Sequence, residues 1–222
     1  MLVVFDLDGT LLDTIEDLTS AVNYALERYG FVPCSVERCR QLVGDGVSQL
    51  MHRVLPASVR NTENITRMGT AFFDYYNAHL TDKTRPYADI ESVLAQLQAR
   101  GIKLAVCSNK YQEATTHLIA HFFPHIKFVC VYGQREGIPL KPHPQAAAEI
   151  LRLAQEDKKN CLYVGDSEPD MQFAKNASLI SCGVTWGFRS REVLAGFKPH
   201  YLVDTPTQLL LLPEIKNYNR HA

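Results

Sequence analysis

The chain first offers chemistry at Asp6 and Asp8, two carboxylates that end the apolar run Leu2-Val3-Val4-Phe5 and precede Gly9-Thr10. A short β-branched run that stops at carboxylates reads as a buried strand ending at a site. Residues i and i+2 of an extended chain point the same way, so Asp6 and Asp8 are expected to converge. Converging carboxylates repel unless a proton or a cation lies between them. A hard divalent cation such as Mg2+ takes oxygen ligands and suits such a pair. Gly9-Thr10 adds a sharp turn, a hydroxyl and bare backbone amides.

Three later segments carry matching chemistry. Ser108-Asn109-Lys110 follows Lys103-Leu104-Ala105-Val106-Cys107. A hydroxyl at a strand end that opens a helix is placed to bind a phosphate oxygen. Lys141-Pro142 precedes a helical pattern from about Pro144 and supplies a point positive charge. Asp166 follows the run Cys161-Leu162-Tyr163-Val164-Gly165, with Asp170 four residues on. If a helix starts between them, both carboxylates face one crevice. Taken singly, each has an ordinary explanation: Ser108, Asp166 and Asp170 as helix caps, Lys141 as surface. Their joint placement is the stronger signal, because open α/β sheets bind ligands at the carboxyl ends of their strands.

The elements that must position these residues alternate. Residues 102–107, 127–132, 161–164 and 179–184 are short apolar runs, separated by helical patterns at about 89–100, 111–121, 144–155 and 168–177. This alternation predicts a Rossmann-like α/β core, a parallel sheet with helices on both faces. Residues 15–84 differ and show no strand pattern. Leu18, Val22, Ala25 and Leu26, then Val47, Leu50, Met51 and Val54, recur at helical spacing. Thr14 with Asp17 suggests a capping box, Gly30 ends the first helix, and Gly44-Asp45-Gly46 breaks another. The expectation is a core formed by residues 1–14 and 85–222, with an inserted all-helical cap domain at 15–84. The linkers fall near 13–16 and 81–87.

Composition narrows the classes. The chain has 222 residues, 46% hydrophobic and 21% charged, which is globular usage. With 23 Lys and Arg against 24 Asp and Glu, its formal net charge is −1, which gives no bulk attraction to nucleic acid or to an anionic membrane. No apolar stretch has the length of a membrane span and no leader pattern is seen, so a cytoplasmic protein is expected. The six cysteines form no C-x-x-C pair and read as reduced thiols, most of them buried.

Asp6-Leu7-Asp8-Gly9-Thr10-Leu11-Leu12-Asp13-Thr14 resembles the first motif of the haloacid dehalogenase superfamily, in its phosphatase branch. Ser108-Asn109, Lys141 and Gly165-Asp166-Ser167-Glu168-Pro169-Asp170 resemble its second, third and metal-binding motifs, in the same order. Val184-Thr185-Trp186-Gly187 and the helical insertion extend the likeness toward phosphoglycolate phosphatases. Tyr87-Ala88-Asp89 departs from it, where relatives more often read Tyr-Pro-Gly.

The resemblance implies a Mg2+-dependent phosphatase acting on a small phosphorylated metabolite, as a monomer or homodimer. Asp6 is then the nucleophile that forms an aspartyl-phosphate. Asp8 protonates the leaving group and later activates water. The metal is held by Asp6, the backbone carbonyl of Asp8, Asp166 and Asp170, the last also being a candidate to orient Lys141. Ser108 binds phosphate, Asn109 contributes mainly a backbone amide, and Lys141 balances charge. Gly46, in the Gly44–Gly46 turn, reaches the substrate. Lys110 reads as solvated surface, Asp13 as a cap or hinge, His143 as peripheral, and Trp186 as either crevice lining or core. Asp8 sets aside dehalogenase and phosphonate-hydrolase chemistry, whereas a sugar-phosphate mutase and a pyrophosphatase remain compatible. A non-enzymatic binding protein would ordinarily have lost one of these residues.

Overall fold

In the computed structural model, which describes residues 1–218, the apolar runs become strands of one parallel sheet. Its strands are β1 (Leu2–Phe5), β4 (Lys103–Tyr111), β5 (Phe128–Gln134), β6 (Cys161–Gly165), β7 (Ile180–Val184) and β8 (Tyr201–Val203), in the order β5-β4-β1-β6-β7-β8. The chain builds outward from β1 through β4 to β5, then returns to the other side of β1 with β6. That reversal places a switch point between β1 and β6, where open α/β sheets form their ligand crevice. The register pairs Phe5 with Val106 on one side and Val164 on the other, so the three central strands end level.

Alternation along the strands divides the core. Val3, Phe5, Leu104, Val106, Leu162 and Val164 pack on one face, and Leu2, Val4, Ala105, Cys107, Cys161 and Tyr163 on the other. The second face is covered by α7 (Gln145–Ala154) and α8 (Glu168–Ala177). The first is covered by α5 (Ile90–Ala99), α6 (Gln112–Phe122) and the C-terminal segment ending in α10 (Pro213–Lys216). α9 (Arg191–Gly196) precedes β8. Each fully buried Leu or Phe in these layers contributes about 1.5–3 kcal/mol relative to exposure.

Between β2 (Leu12–Asp13) and β3 (Arg85–Pro86), a two-residue antiparallel pair, lie four helices: α1 (Ile15–Arg28), α2 (Val36–Leu42), α3 (Val47–Val54) and α4 (Thr62–His79). α1 and α4 pack along their length, with the Tyr24 and Tyr75 rings stacked at 4.8 Å. Apolar packing is continuous from the sheet through Leu7, Leu11, Leu12 and Ile15 into these helices.

Several expectations need correction. β4 does not stop at Cys107 but runs to Tyr111, so Ser108 sits in the strand and opens no helix. Buried Cβ-bearing side chains continue through Lys110, and the register against β5 shifts between Cys107 and Tyr111. The Thr14–Asp17 capping box does not form. The Thr14 hydroxyl bonds Asp8, and the buried Asp17 carboxylate accepts from the Lys83 and Thr84 amides and the Thr84 hydroxyl. β8 and the β2–β3 pair escaped the sequence reading because strands of two or three residues carry no measurable period. The six cysteines are free, four buried and two half-buried.

Candidate active site

β1 delivers Asp6 to the carboxyl end of the sheet, where its amide still bonds the Val164 carbonyl at 2.9 Å. The chain then coils on itself, with the amides of Thr10, Leu11 and Leu12 all donating to the Leu7 carbonyl. Gly9 takes φ +83° in this coil, and a Cβ there would collide with the Asp166 carboxylate. Only glycine therefore lets the loop lie directly on Asp166. The Thr10 hydroxyl donates to Asp166 at 3.1 Å, and Trp186 secures the loop from outside through an indole bond to the Thr10 carbonyl.

Asp6, Asp166 and Asp170 form a buried cluster, one oxygen of each lying within 4.8 Å of the others. A single ammonium, Lys141 Nζ, enters it, 2.7 Å from Asp170, 2.9 Å from Asp6 and 2.9 Å from the Tyr163 hydroxyl. Burial, and then Asp170, push the Asp6 carboxyl up to about 7, against the opposing pull of Lys141. Burial and the two neighbouring carboxylates likewise hold Asp166 well above its usual range. For Lys141, burial alone favours the neutral amine. The Asp170 and Asp6 charges outweigh it and keep the ammonium charged well above its ordinary value.

The three carboxylates are not equivalent. Asp170 is fully buried and saturated. One of its oxygens accepts from the Asp166 amide, the Ser167 amide and the Ser167 hydroxyl; the other accepts from Lys141 and Tyr163. Its geometry is that of a residue that positions Lys141, with both oxygens already engaged by protein donors. Asp6 is the opposite case. Its buried Oδ1 receives no aligned hydrogen bond, although Lys141 lies close. Such an oxygen, beside a second carboxylate pushed toward protonation, is the donor set a hard divalent cation takes.

Asp8, read as converging with Asp6, is held separately. Its carboxylate accepts from Thr14 at 2.7 Å and from Lys110 at 3.1 and 3.3 Å. It lies outside the three-carboxylate cluster. Lys110 corrects the sequence reading. It is buried, not solvated, and its ammonium also donates to the Tyr76 hydroxyl of α4 at 2.7 Å. A charged strand-end residue after two polar ones gives no sequence signal of burial. Only the fold reveals its two partners.

Ser108 is buried in the crevice wall, with its hydroxyl facing the Lys110 amide at 3.3 Å. Asn109, expected to contribute mainly a backbone amide, also has a structural part for its side chain. Its amide group donates to the carbonyls of Gly44 and Lys141, and its oxygen accepts from the Lys141 amide at 2.8 Å. Asn109 thus ties the segment bearing Lys141 to the α2–α3 turn. Gly46 caps α3 at φ +82° and lines the crevice, where a Cβ would press on Leu140 at 3.2 Å. The helical side of the crevice is apolar, with Leu18, Val43, Val47, Leu50 and Phe72. His143 is exposed and serves only a local turn, and Asp13 accepts from the Ile15 amide as a cap. Arg189 went unnoticed in the sequence. Its guanidinium bonds Glu168, the Arg40 carbonyl and the Val43 carbonyl, at 2.7, 2.7 and 2.8 Å.

Comparison with known proteins agrees with this arrangement. A family model described as haloacid dehalogenase-like hydrolase matches residues 3–184. The phosphoglycolate phosphatase of Neisseria meningitidis serogroup A is 34% identical, covering 96% of this chain and 91% of that protein. The phosphoglycolate phosphatase of Mesorhizobium japonicum is 32% identical, covering 91% and 90%. A crystal structure from Lactobacillus delbrueckii subsp. bulgaricus, of a protein provisionally assigned as a phosphoglycolate phosphatase, superimposes with a TM-score of 0.88. It is 33% identical and the match covers 94% of this chain and 95% of that one. Sequence and fold agree over nearly the full length, and this chain belongs to the haloacid dehalogenase-like hydrolases.

Proposed function

We propose that the protein is a phosphatase that hydrolyses a small phosphomonoester, of the phosphoglycolate class, through a covalent aspartyl-phosphate on Asp6. The observation that carries the reading is the Asp6 carboxylate. It lies at the strand-end switch point beside one ammonium and a second carboxylate, Asp166, and it lines the same crevice as Asp8 and Ser108. The names of the relatives point to the same substrate class.

In this reading Asp6 attacks phosphorus, splitting one difficult displacement into two easier ones. Asp8 gives a proton to the leaving oxygen and later takes one from the attacking water. The Ser108 hydroxyl holds a phosphate oxygen. Lys141, fixed by Asp170 and Tyr163, offsets charge at Asp6 as the phosphoryl group arrives. Asp6, Asp166 and the backbone carbonyl of Asp8 would hold Mg2+, with Asp170 acting through Lys141. When bound, the cation neutralises carboxylate and phosphoryl charge.

Residues 15–84 act as a lid on a core of residues 1–14 and 85–222. Asp17 supports this, because it bonds Lys83 and Thr84 and so clamps the two connecting segments side by side. A lid hinged there closes over the phosphate and excludes bulk water. Closure against Leu18, Val47 and Leu50 leaves room for a small substrate only.

The test is phosphate release from p-nitrophenyl phosphate and phosphoglycolate. Turnover is expected with Mg2+, none with EDTA, and a loss of more than about 10³-fold in Asp6→Asn. Turnover of Asp6→Asn near the wild-type rate contradicts the reading.

A further inference from the structure

Four of the chain's ten lysines make an ion pair: Lys83, Lys103, Lys110 and Lys141. The other six make none among the described residues, and four of those six line a single crevice. They are Lys158, Lys159, Lys175 and Lys198, joined there by His200. Among the described residues, no carboxylate lines this crevice. In a protein of net charge −1, unpaired cations would be expected to spread out, because like charges at close range repel. Lys175 alone would be an ordinary complement to the negative end of α8. Lys198 likewise follows the end of α9, where its amide donates to the Ala195 carbonyl, whereas Lys158 and Lys159 have no such explanation.

The crevice shares no residue with the candidate active site and lies at the other end of the sheet. Lys158 and Lys159 precede β6, Ser178 and Leu179 precede β7, and Pro199 and His200 precede β8. Its floor is apolar, formed by Met171, Leu179, Ile180, Phe197 and Pro199. One polar group is already oriented. The Ser181 amide donates to His200 Nδ1 at 3.1 Å, and the His200 amide donates to the Ser181 hydroxyl at 3.1 Å. With Nδ1 accepting, the neutral imidazole carries its proton on Nε2, a donor for an incoming group.

We propose that this crevice is a second anion site that binds a small polyphosphorylated molecule. The phosphate chain lies among the four ammonium groups, and any apolar portion rests on the floor. Ammonium groups suit this ligand because they act as point charges on mobile stems and adapt to a chain of phosphates. A single phosphate would leave most of the charge uncompensated. The site is independent of the catalytic reading and stands or falls without it.

The test is an NMR titration of the Mg2+-free protein with inorganic tripolyphosphate, repeated with a nucleoside triphosphate and with a short RNA. Saturable amide shifts are expected at Ser178–Ser181 and His200. In Lys158→Gln/Lys198→Gln, affinity is expected to weaken by roughly tenfold, the scale of two lost charge pairs. Added salt weakens binding as well, because the lysines are exposed. Phosphate release by the double variant stays at the wild-type rate. Tighter binding of the nucleoside triphosphate than of tripolyphosphate assigns the floor to the base, and equal binding assigns recognition to the phosphates alone. Shifts confined to Ser108–Lys110, equal affinity in wild type and double variant, or RNA binding tighter than both small ligands would overturn the proposal.

Discussion

Two lysines serve two aspartates in one crevice, but the halves of the site are built differently. Lys141 lies inside the sheet domain, held by Asp170 from α8 and Tyr163 from β6. Every partner comes from elements that the parallel sheet alone fixes. Lys110 reaches from β4 to Tyr76 on α4, and the carboxylate it holds, Asp8, is also bonded by Thr14 at the start of the helical insertion. The first half takes no side-chain partner for its ammonium from the four helices. The second is complete only with the four helices in place. The Asp6 half is thus preorganised, whereas the position of Asp8 depends on how the helices sit.

Replacing each lysine tests that difference. Lys141→Met leaves buried carboxylates without their only ammonium, and breaking a buried pair costs about 3–5 kcal/mol. Lys110→Met strands a half-buried Asp8 that still has Thr14, so about 1–3 kcal/mol is expected. Urea denaturation of both variants measures the gap, and a greater loss in Lys110→Met would reverse the comparison. Next in size is the metal. Mg2+ should raise the melting temperature of wild type, because it relieves crowded carboxylates and binds only the folded state. Asp166→Ala should lose most of that shift, and an undiminished shift would remove Asp166 as a ligand. The smallest effect lies outside both halves. Asp89 caps α5 at φ +65°, a left-handed conformation that costs a non-glycine residue about 1 kcal/mol. Asp89→Gly should therefore gain up to about 1 kcal/mol, less the entropy of glycine, with turnover unchanged.

The same division governs what the sequence revealed. The sheet half was legible because its signals are local. An apolar run followed by a carboxylate marks the ends of β1 and β6, and a four-residue spacing puts Asp166 and Asp170 on one helix start. The half shared with the helices was not. Burial of Lys110, the Asp8–Thr14 bond and the reach of Arg189 to Arg40 and Val43 depend on contacts between residues far apart in the chain. No period or cap encodes those contacts. Asn109 is intermediate. Its position was evident, but its side-chain bonds to Gly44 and Lys141 required knowing which loops meet. The departure at Asp89 was visible in the sequence, and its meaning came only with its φ angle.

In the proposed mechanism Asp6, not Asp8, takes the phosphoryl group. The direct measurement is to quench the protein during turnover with Mg2+ and a phosphomonoester, reduce the acyl phosphate with borohydride, and sequence the N-terminal peptide by mass spectrometry. Homoserine is expected at position 6 and unmodified aspartate at position 8. Homoserine at position 8, or phosphate release with neither residue trapped, would contradict it.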